Sequence, residues 1–229
     1  MKSFGVFCIG ESGAGKTAII HSFMDKPFSN TVQNTVGIEM IPYKMNLSSK
    51  TIKFIISDTS GQEKFNLLSK NYYKPNQGFL LVYDITSRAS FKNIDKWLNG
   101  IKENMNMNYV SLALIGNKID LESSREVTFE EGKQFAIQNN CLFIETSAKT
   151  GKGIKESFFT LFEQILELRG QKPQEFDDFI NNLPNKIDRT LINNKREIKE
   201  IITEEDKDTF QIGKQKEASN NGIFSYLYC

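Results

Sequence analysis

The sequence predicts an α/β fold: a mostly parallel six-stranded sheet with one antiparallel edge strand and helices on both faces. Short apolar stretches alternate with helix-periodic segments between residues 2 and 169. Most of these stretches are continuous apolar runs, which is typical of strands buried on both faces of a parallel sheet. Two neighbouring stretches are close enough to pair as a hairpin. The predicted strands are residues 4–9, 38–47, 51–57, 78–83, 111–117 and 141–145.

The connections between these strands predict how they pair. The first strand leads through a glycine-rich loop into a helix-periodic segment that contains Ile19, Ile20 and Phe23. Only Ser48-Ser49-Lys50 separates the second strand from the third, so these two form the antiparallel hairpin. Helix-periodic segments follow most of the other strands. The carboxyl ends of parallel strands then lie at one edge of the sheet, where ligands bind.

Three later segments have the features of amphipathic helices. Thr128 and Glu131 have the spacing of a capping box, which predicts a helix beginning there. The other two segments carry apolar stripes at helical spacing. One stripe is Phe91, Ile94, Trp97, Leu98 and Ile101, and the other is Ile154, Phe158, Leu161, Phe162, Ile165 and Leu168.

Composition predicts a reduced, soluble protein that faces the cytosol. The 229 residues include 29 Lys+Arg and 28 Asp+Glu, and no basic block is interleaved with aromatic residues, so we expect no nucleic-acid partner. There is no signal-peptide pattern and no apolar run near the length of a membrane span. The three cysteines, Cys8, Cys141 and Cys229, lack the spacing of metal ligands.

The chain changes character after residue 169, so we predict a domain over residues 1–169 and a tail over residues 170–229. Gly170-Gln171-Lys172-Pro173 has the composition of a helix stop and linker. The tail contains nine Lys+Arg and eleven Asp+Glu residues. Two parts of it, around residues 176–183 and 187–202, have helical spacing suited to docking on a partner or on the domain, and disorder around them is the alternative.

Residues 10–17 read Gly-Glu-Ser-Gly-Ala-Gly-Lys-Thr and directly follow a predicted strand. This G-x-x-x-x-G-K-[ST] spacing is typical of a loop whose backbone N–H groups surround the phosphates of a nucleotide. Lys16 offers a positive charge to the β- and γ-phosphates. The Thr17 hydroxyl is placed to ligate Mg²⁺, which takes few protein ligands. The helix that begins near Lys16 adds its positive N-terminal dipole.

Two further motifs, each at a strand end, indicate a guanine base. Asn117-Lys118-Ile119-Asp120 provides a carboxylate that can accept hydrogen bonds from guanine N1–H and the N2 amino group. Adenine lacks this pair of donors and would leave Asp120 unpaired, which argues against a P-loop ATPase. Thr146-Ser147-Ala148-Lys149 is placed to contribute a backbone N–H to guanine O6 and the Lys149 stem to the ring face.

Residues between these motifs suggest GTP hydrolysis. Thr35 can reach the metal if its loop closes over the γ-phosphate, and Asp58 can hold the metal's water shell. Gly61 can donate a backbone N–H to the γ-phosphate, and Gln62 can orient the attacking water. The predicted catalytic residues are therefore Lys16, Gly61 and Gln62, and the predicted metal ligands are Thr17, Thr35 and Asp58.

With these residues placed, residues 3–169 resemble small GTPases of the Ras superfamily, most closely the Rab branch. Besides the loop with Ser12, the Rab-like segments are Thr-Val-Gly-Ile-Glu at 35–39, Tyr-Tyr-Lys at 72–74 and Leu-Val-Tyr-Asp-Ile-Thr at 81–86. The resemblance implies the small-GTPase P-loop fold, GTP or GDP with Mg²⁺, and switch segments at about residues 30–42 and 60–76. It implies an exchange factor, an activating protein and effectors that contact those segments.

The resemblance also completes the predicted site, because Phe28 matches the aromatic residue that lies against guanine. The predicted nucleotide-binding residues are Glu11, Ser12, Gly13, Ala14, Gly15, Lys16, Thr17, Ala18, Phe28, Thr35, Gly61, Asn117, Lys118, Asp120, Leu121, Ser147, Ala148 and Lys149. We expect a monomer in the cytoplasm, on the cytosolic face of an endomembrane.

Three departures from the Rab pattern concern partners and membranes. Ser57 stands where Rab proteins usually carry Trp, and Met40 replaces an aromatic residue; with Tyr72 these positions match the apolar triad presented to effectors. Ser60 replaces Ala in the segment that contains Gly61 and Gln62, which leaves those two in place. At the C-terminus one cysteine, Cys229, stands in place of the usual pair or C-a-a-X box, so prenylation and an unmodified thiol are both open.

The resulting hypothesis is a Rab-like switch that hydrolyses GTP to GDP slowly without an activating protein and regulates vesicle or membrane trafficking through effectors. The alternative is a GTP-binding scaffold or interaction protein, away from membranes, that hydrolyses little GTP and uses its tail as a binding module.

Overall fold

The computed structural model describes residues 3–29, 35, 37–59 and 70–183. Across these residues one six-stranded sheet has the order β2-β3-β1-β4-β5-β6. Only the β2–β3 pair is antiparallel, and it places β2 at the edge. The predicted fold class is thereby confirmed. The strands are β1 Ser3–Gly10, β2 Ile38–Asn46, β3 Thr51–Thr59, β4 Asn76–Asp84, β5 Ser111–Asn117 and β6 Leu142–Thr146.

Helices cover both faces of the sheet. The predicted capping box is confirmed: the Thr128 hydroxyl accepts from the Glu131 N–H, and the Glu131 carboxylate accepts from the Thr128 N–H. The described α-helices are α1 Lys16–Phe23, α2 Lys70–Tyr73, α3 Arg88–Lys92, α4 Ile94–Asn104, α5 Phe129–Gln138, α6 Ile154–Leu168 and α7 Phe176–Asn181.

One predicted apolar stripe belongs to two helices. The stripe from Phe91 to Ile101 crosses a break at Asn93, which separates α3 from α4. The Asn93 N–H closes α3 on the Ala89 carbonyl, and the Asn93 carbonyl accepts from the Lys96 N–H as α4 begins. The stripe continues because Asn93 keeps a right-handed helical backbone.

The sheet separates two apolar cores. In β1, Val6 and Cys8 contribute to the core under α1 and α6, whereas Phe7 and Ile9 contribute to the core under α4. This alternation follows the two-residue period of side chains along a strand. Both faces of β1 are therefore buried, as its continuous apolar sequence predicts.

Aromatic stacking connects α6 to the sheet. Phe162 is fully buried and stacks on Phe54 of β3, with ring centroids 3.8 Å apart and an interplanar angle of 12°. One turn earlier, Phe158 stacks on Phe23 of α1 at 4.0 Å. Leu168, the last member of the predicted stripe, is 48% exposed because it lies beyond this core.

The segment after α6 turns back onto the core. Gly170 has a positive φ of 60°, and its N–H bonds to the Glu167 carbonyl at 2.9 Å, which ends the helix. Phe176 and Ile180 of α7 are then buried in the same core as α6. The predicted boundary at residue 170 stays a prediction, and residues 184–229 lie outside the described part. Within the described residues, no helix combines the length and apolar character needed to cross a membrane.

Replacing Phe162 by Ala should lower the free energy of unfolding by about 3–5 kcal/mol, because it removes a fully buried ring and leaves a cavity. Leu168→Ala on the same helix is the control, and it should cost less than about 1 kcal/mol because Leu168 is largely exposed. Urea unfolding of both variants measures the difference. Equal losses would show that the α6–β3 stack does not hold this core together.

Candidate functional site

A cavity of about 370 Å³ opens at the carboxyl ends of the parallel strands. Its walls come from the loop after β1, the residues after β5 and the residues after β6. This position is the one expected for a ligand in an open α/β sheet, and the volume lies within the usual range for small-molecule sites.

The loop between β1 and α1 forms one end of the cavity, and two of its glycines are required by close contacts. Gly10 has a φ of 147°, and a Cβ there would lie 2.1 Å from the Val82 carbonyl oxygen. Gly15 has a φ of 95°, and a Cβ there would lie 2.3 Å from the amide nitrogen of Asn117. Any side chain at either position would force the loop away from the sheet, so the tight turn depends on glycine.

The Lys16 side chain is held inside this loop. Its ammonium donates to the carbonyl oxygens of Gly10 at 3.0 Å and Glu11 at 2.9 Å, and the residue is only 4% exposed. Burial lowers the pKa of Lys16, although nearby acidic groups, among them Asp58, act in the opposite direction. A charged group placed this way is ready to interact with an anion at the mouth of the loop.

Three oxygens converge beside Lys16. The Thr17 hydroxyl lies 2.6 Å from Asp58 Oδ2 and 2.7 Å from the Thr35 hydroxyl, and Thr35 lies 3.2 Å from the same carboxylate oxygen. Burial raises the pKa of Asp58, while hydrogen bonds from the two hydroxyls and the charge of Lys16 oppose that shift. The structure thus brings together the three predicted metal ligands.

This set of donors fits Mg²⁺. It consists only of hard oxygen atoms, and Asp58 Oδ1 is buried with no hydrogen-bond partner among the described residues. One carboxylate and two hydroxyls suit an ion that keeps water and phosphate oxygens as its other ligands. The described residues contain no cluster of three His, Cys, Asp or Glu side chains that would indicate an all-protein metal cage.

The Asn117 side chain connects the two ends of the cavity. Its amide NH₂ donates to the Ala14 carbonyl at 2.9 Å, and its Oδ1 accepts from the Thr146 hydroxyl and the Ala148 N–H, both at 3.2 Å. Asn117 is 1% exposed, so these bonds form away from water. The β1–α1 loop and the segment after β6 are therefore tied to one buried side chain.

At the other end of the cavity, the carboxylate of Asp120 is oriented by Ser147. The Ser147 hydroxyl donates to Asp120 Oδ1 at 2.6 Å and accepts from the Thr150 N–H at 3.1 Å. Ser147 is fully buried, whereas Asp120 is exposed toward the cavity opening. Asp120 Oδ2 has no hydrogen bond to any described residue. Ser147 thus leaves this carboxylate oriented but available to a ligand.

The structure gathers most of the predicted nucleotide-binding residues. Four other predicted residues do not line the cavity but form hydrogen bonds with residues that do: Glu11, Ala14, Asp58 and Ser147. Gly61, Gln62 and Cys229 lie outside the described residues. The predicted residues that line the cavity are Ser12, Gly13, Gly15, Lys16, Thr17, Ala18, Phe28, Thr35, Asn117, Lys118, Asp120, Leu121, Ala148 and Lys149.

Two residues that line the cavity, Ser29 and Thr59, are not among the predicted site residues. Thr59 lies in the Asp58-Thr59-Ser60-Gly61-Gln62 motif but has no predicted role there, and Ser29 is indicated only by its position next to Phe28. The Thr59 hydroxyl donates to the Cys8 carbonyl at 3.0 Å, which attaches the end of β3 to β1.

The three positions matched to the effector triad also meet in space. Met40 and Ser57 are register partners in the β2–β3 hairpin, and both line a second cavity, of about 220 Å³, together with Tyr72. Met40 is 65% exposed and Tyr72 is 44% exposed, whereas Ser57 is buried. This surface therefore has a small residue at its centre and two exposed apolar residues beside it.

Comparisons with known proteins agree with this geometry. The family model described as the Ras family matches residues 6–167. The Ras-related protein Rab-10 of Diplobatis ommata is 43% identical over 164 residues, which cover 72% of this chain and 82% of that protein. Because the family match covers the cavity, both sides of the sheet and most of the chain, the chain belongs to the Ras family as a Rab-like small GTPase, an enzyme that hydrolyses GTP to GDP.

Proposed function

We propose that this Rab-like GTPase is a molecular switch that cycles between GTP-bound and GDP-bound forms and regulates vesicle or membrane trafficking through effectors. The observation that carries the proposal is that one cavity has Lys16, Thr17 and Thr35 at one end and Asp120 at the other. One end suits phosphates and a cation, and the other suits a guanine base.

Phosphate binding is assigned to the β1–α1 loop. Lys16 is already held by two backbone carbonyls, so its charge needs little reorganisation when phosphate oxygens arrive. Helix α1 begins at Lys16, and the unpaired N–H groups of its first turn add further donors for phosphate oxygens. Mg²⁺ held by Thr17, Thr35 and the water shell of Asp58 would neutralise charge on the β- and γ-phosphates.

Guanine recognition is assigned to Asp120 and Ala148, with the stems of Lys118 and Lys149 beside the base. The Asp120 carboxylate would accept from N1–H and the N2 amino group, and Ser147 keeps it in place. The Ala148 N–H donates to Asn117 at 3.2 Å, so it would serve guanine O6 as a shared donor. Phe28 and Lys149 line the same part of the cavity and would contact the ring.

Hydrolysis is assigned to an in-line attack by a water that Gln62 orients, with the Gly61 N–H and Lys16 stabilising charge on the γ-phosphate. No arginine precedes Arg88 in the sequence. Arg88 and Arg125 form ion pairs with Glu131 and Glu145. We therefore infer that intrinsic turnover is slow and that an activating protein supplies an arginine in trans.

The switch is assigned to Thr35 and the segments at residues 30–42 and 60–76. In the structure the Thr35 hydroxyl lies with Thr17 and Asp58, the position in which it would contact the metal of a GTP complex. Loss of the γ-phosphate removes that attachment and releases the loop. Met40 and Tyr72 would then present a different surface to effectors.

The alternative is a GTP-binding scaffold with little hydrolysis. Thr35 and Asp58 argue against it, since a scaffold without a cycle has no need for a residue that detects the γ-phosphate. Single-turnover GTP hydrolysis and nucleotide exchange rates separate the two functions.

Asp120→Asn should change the base preference of the site from guanine to xanthine. The amide cannot accept from both guanine donors, so GTP affinity should fall at least about 100-fold, since each charge-assisted bond contributes about 1.5–3 kcal/mol. Xanthosine triphosphate should then bind better than GTP in a competition assay. Asp95→Asn, an exposed change on α4, is the control. A variant that still prefers GTP would rule out Asp120 as the residue that reads the base.

Gln62→Leu should slow stimulated hydrolysis by about 100-fold or more, because the side chain can no longer orient or polarise water. The measurement is single-turnover hydrolysis with an activating protein that accelerates the wild type. Gln134→Leu, an exposed change on α5, should match the wild type. Unchanged hydrolysis by Gln62→Leu would remove Gln62 from the mechanism, and no hydrolysis by the wild type would favour the scaffold.

Membrane attachment is assigned to prenylation of Cys229. Mass spectrometry of the peptide that contains Cys229, from protein recovered from its own cells, should show a geranylgeranyl increment. The apolar lipid chain would supply the affinity for membranes, so Cys229→Ser should move the protein from the membrane fraction into the soluble fraction. An unmodified thiol in that peptide would favour a switch that acts away from membranes.

A further inference from the structure

The carboxylate of Asp84, at the end of β4, pairs with Lys118, which lines the candidate nucleotide site. Its Oδ2 lies 2.6 Å from the Lys118 ammonium, and its Oδ1 accepts from both the N–H and the hydroxyl of Thr86 at 2.8 Å. Asp84 is buried, with 11% of its side chain exposed, so the carboxylate side of this ion pair is largely shielded from water. Nothing in the proposed chemistry uses Asp84.

Asp84 is fixed by its own surroundings. Its N–H donates to the Ser90 hydroxyl at 3.0 Å, and its carbonyl accepts from the Ser87 N–H at 3.0 Å. Asp84 is the register partner of Asn117 in the β4–β5 pair, which places it beside the residue that precedes Lys118. The Thr86 bonds select one rotamer of the carboxylate, so its second oxygen points at Lys118 without further adjustment.

Lys118 needs such an anchor. Its backbone is left-handed, with φ 72° and ψ 35°, directly after Asn117, and its side chain is about one-third exposed. The Lys118 Cε lies 4.0 Å from the position that a Cβ on Gly15 would occupy, so the stem runs along the β1–α1 loop. A lysine stem in solution samples many rotamers, and ordering it at the moment of ligand binding costs free energy.

We propose that Asp84 is a positioning residue for nucleotide binding: it holds the Lys118 ammonium so that the lysine stem stays against the β1–α1 loop and forms a wall of the base pocket. This inference rests on the proposed function of the cavity. Asp84 does not line the cavity, whereas Lys118 does, so Asp84 acts only through Lys118. An ion pair that merely stabilises the fold is the competing explanation, and the experiment below separates the two.

The test measures the dissociation rate of a fluorescent GDP analogue from Asp84→Asn. The change keeps the shape of the side chain but removes its charge, and the rate should rise about tenfold, in line with the loss of one charge-assisted hydrogen bond. Glu163→Gln is the matched control. Its carboxylate pairs with Lys172 at 2.6 Å, and its side chain is 10% exposed, close to the 11% of the Asp84 side chain. Glu163 lies on α6 and does not line the cavity.

The same substitution in a Lys118→Met background shows whether Asp84 acts through Lys118. Lys118→Met alone should speed dissociation, and adding Asp84→Asn should change the rate less than twofold. An equal, additive rise in both backgrounds overturns the proposal, as does an Asp84→Asn variant whose melting temperature falls while its dissociation rate is unchanged. Thr86→Val, which removes one bond to Asp84 Oδ1, should raise the rate about two- to threefold and provides the test if Asp84→Asn does not fold.

Wild-type GDP binding separates this inference from the proposed function. If the wild type does not bind guanine nucleotides, the assignment of the cavity is wrong. If it binds them and Asp84→Asn releases them at the wild-type rate, the assignment stands and the role of Asp84 is wrong.

Discussion

The buried amide of Asn117 is the interaction on which the site depends. Parallel strands bring their carboxyl ends to one edge of the sheet. The β1–α1 loop and the residues after β6, however, follow strands that are not neighbours in that sheet. Asn117 connects them, donating to Ala14 and accepting from Thr146 and Ala148. Because the amide is buried, an unmade bond would be costly, so Asn117 holds the β1–α1 loop and the segment after β6 next to each other.

A second constraint is the burial of charge at the phosphate end. Lys16 and Asp58 are both almost completely buried, and their polar partners are backbone carbonyls and hydroxyls rather than a close ion pair. Charges removed from water in this way destabilise the empty protein unless strong partners replace the water. Phosphate oxygens and a cation are such partners, so we expect nucleotide binding to raise the folding stability of this chain.

The positions matched to the effector triad depart from the Rab pattern, whereas the residues around the cavity conform to it. The residues around the cavity match the family motifs closely, whereas the neighbouring surface has Ser57 at a position where the resemblance expects Trp. Met40 and Tyr72 remain exposed beside a cavity that Ser57 leaves open. The residues around the cavity and the three positions matched to the effector triad are therefore different residues, and we expect that one set can change without the other.

The sequence by itself determined the α/β class, the six strands, the β2–β3 hairpin and the residues at the carboxyl ends of the strands, because runs of apolar residues and contiguous motifs are local signals. It also located the α6 stripe and the capping box of α5. Tertiary structure decided that Leu168 lies outside the core, that α3 and α4 separate at Asn93, and that α7 packs against α6. Only the fold brought Ser29, Thr59 and Asp84 to the site. The packing of α7 and the pairing of Asp84 with Lys118 depend on contacts between residues that no periodicity or motif joins.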